Sequence, residues 1–166
     1  MSNEVDITLI VNGRKHAIRV EPRHTLADAI RDNCGQTGTH LGCEHGICGS
    51  CTVIVDGEPM RSCLMFAVQA QGKNIRTVEG LANGAELHPL QRAFIENHGL
   101  QCGFCTPGFL MLAVSVLEKN PNIGDDELLD VLSSNLCRCT GYQNILKAVK
   151  AAAAELRGEK KAEAAR

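Results

Sequence analysis

The chain has 166 residues, 44% hydrophobic and 22% charged, with a formal net charge of −2. This balance suits a globular protein and gives no basic footprint for nucleic acid or for an anionic membrane surface. Aromatics make up only 3%, with no tryptophan, so the core must be aliphatic, and two small aliphatic cores would be marginal without a staple such as a metal.

The N-terminal stretch MSNEVDITLIVNG has acidic side chains where an export signal would be basic, and the most apolar run, Phe109 to Leu117, is too short to span a bilayer. A soluble cytoplasmic protein is expected. Ile7, Leu9 and Val11 alternate with polar neighbours, Asn12-Gly13 is a hairpin turn, and His16 to Val20 returns as a second strand. Thr25 opens a short helix with Asp28 as its capping partner. A cysteine-rich loop follows, then a β-branched strand from Thr52 to Val55 closed by Asp56-Gly57, and a further strand around Ile75 to Val78.

From there the apolar period changes from two to nearly four. His88-Pro89 opens a helix through Asn97. Thr106-Pro107 opens another through Lys119, with Thr106 as N-cap and Pro107 as first helical residue. Asp125 to Leu136 forms a third, and Thr140 to Gln143 reads as a capping box for a fourth through Val149. The fold class is therefore α+β. It divides into residues 1–80, a helical domain at 81–157 that fits a four-helix bundle, and a flexible tail at 158–166. The aliphatic stripe of the 106–119 helix is nearly all-round, as in a central helix or one covered by a partner.

Nine cysteines without an export signal argue for metal binding over disulfides. In GCEHGICGSCTV, Cys43, Cys48 and Cys51 have the C-x4-C-x2-C spacing of a plant-type [2Fe–2S] site, and Cys63 is a fourth candidate, although the eleven intervening residues are fewer than that type usually has. Gly42, Gly46 and Gly49 are expected to take positive φ and turn amides toward the sulfurs. Cys102 and Cys105 form C-x2-C ahead of a helix, while Cys137 and Cys139 form C-x-C, a spacing that lets neighbouring thiolates reach one iron. Cys34 is left over and expected to be buried. His45 reads as a solvated loop residue and His98 as a helix-end residue. Arg138, between two cysteines, either offsets negative charge at a cluster or points to water.

Taken together, GCEHGICGSCTV, Cys63 in RSCLM, QCGFCTPG and NLCRCTGY closely resemble the small iron–sulfur subunit of the molybdenum hydroxylases, the xanthine oxidase and bacterial carbon monoxide dehydrogenase family, from about residue 5 to 155. The resemblance implies a ferredoxin-like (β-grasp) domain holding one [2Fe–2S] cluster through Cys43, Cys48, Cys51 and Cys63. It also implies a second cluster in the helical domain through Cys102, Cys105, Cys137 and Cys139. Gln101 and Cys139 match residues that contact molybdopterin in relatives. Implied partners are a large molybdopterin-binding subunit, with the cofactor in its cytosine dinucleotide form, and a medium FAD-binding subunit, in a heterotrimer or a dimer of heterotrimers. The chain itself shows no nucleotide-binding glycine fingerprint or P-loop. The implied function is electron relay from the molybdopterin centre to FAD during oxidation of a (hetero)aromatic or aldehyde-type substrate, with water as oxygen source. A free-standing two-cluster ferredoxin and a structural double-zinc protein are the alternative readings.

Overall fold

A computed structural model describes residues 3–158. The expected tail therefore lies, from residue 159, outside the described residues. Strands β1 (Val5–Val11) and β2 (Arg14–Val20) pair antiparallel across Asn12 and Gly13, both at positive φ as a two-residue hairpin requires. Thr25 caps α1 (Leu26–Asp28): the Asp28 amide donates to Thr25 Oγ1 at 3.1 Å and the Thr25 hydroxyl donates to Asp28 Oδ2 at 2.5 Å. A wider π turn, Ala29–Asn33, continues from it.

The strand β3 (Thr52–Val55) turns at Asp56-Gly57, again with both residues at positive φ, into β4 (Glu58–Arg61). Sequence reading stopped at that turn and missed β4, whose Pro59 weakens the strand signal. Proline is tolerated because β4 is an edge strand. With β5 (Asn74–Arg76) the sheet order is β2-β1-β5-β3-β4, mixed because β5 runs parallel to β1 and antiparallel to β3. The strand β5 ends before the expected Val78 since the Thr77 amide donates to Asn12 Oδ1, 2.9 Å away, and leaves the ladder.

Four helices fill the second half: α2 (Pro89–Glu96), α3 (Thr106–Lys119), α4 (Asp125–Ser133) and α5 (Gln143–Leu156). Helix α3 is central. Phe109, Leu110, Met111, Leu112, Ala113 and Val114 are all buried, because it lies against β3 and β4 on one side and α2 and α4 on another. Each such large side chain removed from water contributes roughly 1.5–3 kcal/mol.

Three helix ends differ from expectation, each for a tertiary reason. Thr106 is already helical and Cys105 occupies the N-cap position. Helix α4 stops at Ser133 instead of Leu136, since the Arg61 guanidinium takes the Ser134 carbonyl at 2.9 Å and the Leu136 amide donates to the Cys48 carbonyl at 2.9 Å. Helix α5 begins at Gln143 without the expected capping box, because the Thr140 side chain is engaged with Cys137.

Two apolar clusters result, and β3 serves both. Val53 and Val55 face the cluster with Leu9, Ile30 and Ile75, while Ile54 on the opposite face joins the helical cluster with Phe94, Phe109 and Ile145. The halves also meet backbone to backbone: a Cβ on Gly108 would lie 2.3 Å from the Gly49 carbonyl oxygen.

Gly108→Ala is expected to cost about 1–3 kcal/mol by overpacking, read as a lowered thermal midpoint. Gly124→Ala, at a site with open space, serves as the mild control. A second test concerns His88, which caps α2: its Nδ1 accepts from the Leu90 amide at 3.2 Å, a role open only to the neutral ring. Burial holds its pKa below the ordinary 6.5, with Glu118 opposing and Arg76 and Arg92 reinforcing. Since the folded value lies below the unfolded one, the cap's stabilisation is full above pH 6.5 and is lost as pH falls through the folded value. Thermal melts across that range should show this acid-side loss, and His88→Asn, which caps without titrating, should reduce it.

Candidate metal centres

The first loop owes its shape to left-handed backbone at Glu44, Gly46 and Gly49, with φ of 55°, 76° and 76°. Gly42, expected among them, does not have positive φ. Its constraint is space, since a Cβ there would stand 3.2 Å from Cys48 Sγ and 3.3 Å from the Phe104 ring. The curl aims two amides at Cys43 Sγ, that of Cys48 at 3.3 Å and that of His45 at 3.4 Å. These hydrogen bonds bring the Cys43 thiol down to about 6. Cys51 is buried at the entry to β3, and Cys63 is buried in the short turn after β4. Burial, reinforced by the neighbouring Cys51 side chain, pushes Cys63 up to about 11. Cys43 thus has Cys48 beside it and Cys63 has Cys51, with Cys43 also acting on Cys63.

The second set is built from the N-terminus of α3 and the segment between α4 and α5. Cys102 and Cys139 are exposed, their sulfurs 3.5 Å apart, and the Cys102 thiol raises the pKa of Cys139. Burial and then the Cys137 side chain push Cys105 up to about 12. At Cys137 burial works upward, but hydrogen bonds from the Thr140 hydroxyl and amide, the Cys139 amide and the Cys105 thiol outweigh it and lower the pKa. The C-x-C thiols thus face different partners, Cys137 meeting Cys105 and Cys139 meeting Cys102. The C-x-C spacing lets its two thiolates reach one iron, and in the structure each of them also has a thiol of the C-x2-C pair beside it. Among the described residues no three of His, Cys, Asp and Glu converge on a single ion position. Within each set of four the thiols act on one another, most strongly Cys51 on Cys63, Cys137 on Cys105 and Cys102 on Cys139.

The sets are tied to each other. Leu136, next to Cys137, donates its amide to the Cys48 carbonyl at 2.9 Å, and Asn135 Nδ2 donates to the Gly49 carbonyl at 3.4 Å. His40 stacks on Phe104 at 5.0 Å between centroids, and its Nδ1 lies 2.7 Å from the Phe104 carbonyl, next to Cys105.

A family model described as a 2Fe-2S iron-sulfur cluster binding domain matches residues 9–81, and one described as a [2Fe-2S] binding domain matches residues 77–150. The chain is 55% identical over 148 residues to the nicotine 6-hydroxylase small subunit of Paenarthrobacter nicotinovorans, covering 89% of each. It is 56% identical over 153 residues to caffeine dehydrogenase subunit gamma of Pseudomonas sp. strain CBB1, covering 90% of this chain and 91% of that one. It also superposes on a chain of quinoline 2-oxidoreductase from Pseudomonas putida 86 with a TM-score of 0.90 and 51% identity, covering 96% of this chain and 99% of that chain. The chain belongs to the small iron–sulfur subunits of the molybdenum hydroxylases. It is an oxidoreductase subunit with a ferredoxin-like α+β fold.

In this small subunit Gln101 is exposed directly before Cys102, and so borders the Cys102–Cys139 pair. His45 is an exposed loop residue whose Nδ1 contacts the Cys43 carbonyl. His98 is exposed just past the end of α2. Arg138 is exposed and, among the described residues, forms no ion pair. Cys34 is buried in the sheet-side cluster, and that burial raises its pKa. Sequence reading missed Asn135, Thr140 and Tyr142 as members of the site. Their only signal was proximity to Cys137 in NLCRCTGY, and for Thr140 the capping-box pattern offered a competing use. No helix among the described residues is long and apolar enough to cross a membrane.

Proposed function

We propose that Cys43, Cys48, Cys51 and Cys63 hold one [2Fe–2S] cluster, that Cys102, Cys105, Cys137 and Cys139 hold another, and that the subunit relays electrons from a molybdopterin centre to FAD on partner chains. The observation that carries this is that the thiols within each set of four act on one another. A [2Fe–2S] cluster presents two irons, each needing two protein ligands, and four cysteines in each set match that demand. When bound, such clusters take up and release one electron at a time.

The protein's own groups do the rest. Amides on Cys43 and a hydroxyl on Cys137 stabilise negative charge at those sulfurs. Burial of Cys51 and Cys63 keeps water from one side of the first set. We take the exposed Cys102, Cys139 and Gln101 as the face toward the pterin, with Gln101 and Cys139 as its contacts. Beside the first loop, Ile47 and Leu64 are 67% and 64% exposed, and a Cβ on Gly46 would touch Leu64, 2.3 Å from its Cδ1. Apolar side chains this open fit a surface covered by a partner, and we assign that partner as the medium FAD-bearing chain. The large molybdopterin chain completes a heterotrimer, single or paired. Residues 1–80 and 81–157 act as the two cluster domains, the second as a four-helix bundle.

Nicotine, caffeine and quinoline in the relatives' names are all nitrogen heteroaromatics. We therefore assign the assembled enzyme a heteroaromatic substrate hydroxylated with oxygen from water. That reaction releases two electrons per turnover, and this subunit's task is to pass them on singly.

The deciding measurement is low-temperature electron paramagnetic resonance of the dithionite-reduced enzyme, with iron, zinc and acid-labile sulfide assayed on one sample. Two distinct [2Fe–2S] signals are expected. Cys43→Ser should abolish one and Cys102→Ser the other, each stopping steady-state turnover; stoichiometric zinc with a silent spectrum would defeat the assignment. In a separate test, Ile47→Asp should reduce co-purification of the FAD-bearing chain while both signals persist, and undiminished co-purification would remove Ile47 from that interface.

A further inference from the structure

The segment from Cys137 to Tyr142 closes a ring of three hydrogen bonds on itself. The Cys137 amide donates to Tyr142 Oη at 3.0 Å, the Tyr142 amide donates to Thr140 Oγ1 at 3.1 Å, and the Thr140 hydroxyl donates to Cys137 Sγ at 3.1 Å. Closing the ring places Tyr142 at φ 69°, a region that bulky L residues seldom occupy. Its ring is braced edge-on by the fully buried Phe109, 6.3 Å away between centroids.

The order of donors fixes where the hydroxyl proton goes. Thr140 Oγ1 already accepts from an amide, and its one proton is left for the sulfur. Accepting from the Tyr142 amide polarises the Thr140 hydroxyl and strengthens its donation to the sulfur. Among the described residues, no other of the eight site thiols accepts a hydrogen bond from a side-chain hydroxyl.

We propose that Thr140 is a positioning residue that raises the reduction potential of the helical cluster, and that Tyr142 holds it in place to do so. The proposal rests on the assignment of Cys137 as a cluster ligand. Reduction adds one electron and increases negative charge on the ligand sulfurs. A fixed hydroxyl proton stabilises the reduced form more than the oxidised form. No bond is made or broken, and the proton stays on Thr140.

The test is a spectroscopically monitored redox titration of the assembled enzyme. Thr140→Val, which keeps the shape and removes the donor, is expected to make the helical cluster about tenfold harder to reduce, a shift of about 59 mV for one electron. The other cluster's midpoint should not move, and Thr140→Ser should hold the parent value. Should the valine variant fail to assemble that cluster, Thr140→Ala is expected to show the same directional shift. An unchanged midpoint with the signal intact overturns the proposal. So does loss of the cluster in both valine and alanine variants with a normal serine variant, which would make the hydroxyl structural. Neither result touches the two-cluster assignment, which fails only if the parent enzyme lacks the second [2Fe–2S] signal.

Discussion

The close approach of the first cysteine loop to the N-terminal end of α3 is the constraint on which the rest depends. At the contact, Gly108 meets the backbone of Gly49 and Ser50 with no room for a side chain on it. The loop that ends in Cys51 and the helix that begins beside Cys105 are thereby set at a fixed separation. The Cys48 and Gly49 carbonyls at this junction are taken by Leu136 and Asn135, the residues just ahead of Cys137. Asn135 is fully buried and, among the described residues, its Oδ1 has no hydrogen-bond partner, an arrangement that costs roughly 1–3 kcal/mol. A polar residue kept at that cost is one whose amide is needed where it stands.

Rigidity reaches both sets through β3. All four of its residues are buried, so its two faces feed two apolar clusters at once, and the strand starts immediately after a site cysteine. Close packing of buried side chains on both faces of the strand couples a displacement in one apolar cluster to the other. Arg76–Glu118 and Lys119–Glu58 add surface links between sheet and α3. Both pairs are exposed and are worth at most about 1 kcal/mol each.

Within each set the thiols are unequal before any metal arrives. Cys43 and Cys137 are hydrogen-bonded toward the thiolate, whereas Cys63 and Cys105 are held protonated by burial and by their neighbours. Metal loading must displace the thiol protons, and hydrogen bonding eases that loss at Cys43 and Cys137 while burial opposes it at Cys63 and Cys105. The asymmetry follows from where the fold places burial and hydrogen-bond donors, since the residue types are identical.

The sequence by itself determined the α+β class, most of the elements and the two cysteine groups, because these rest on local information: period-two and period-four patterns, Asn-Gly and Thr-Pro punctuation, and thiol spacing. It left β4 unread, since Pro59 hides an edge strand. It extended α4 too far and assigned Thr140 to a cap. Helix α4 ends early because the groups at its C-terminus choose distant partners over local ones, while Thr140 bonds within its own turn to Cys137 and Tyr142. Arg61 takes the Ser134 carbonyl across 73 residues, and the Leu136 amide finds Cys48. Which thiol pairs with which, and how close the two sets come, were likewise decided only by tertiary structure, because both depend on backbone contacts between segments that spacing along the chain does not relate.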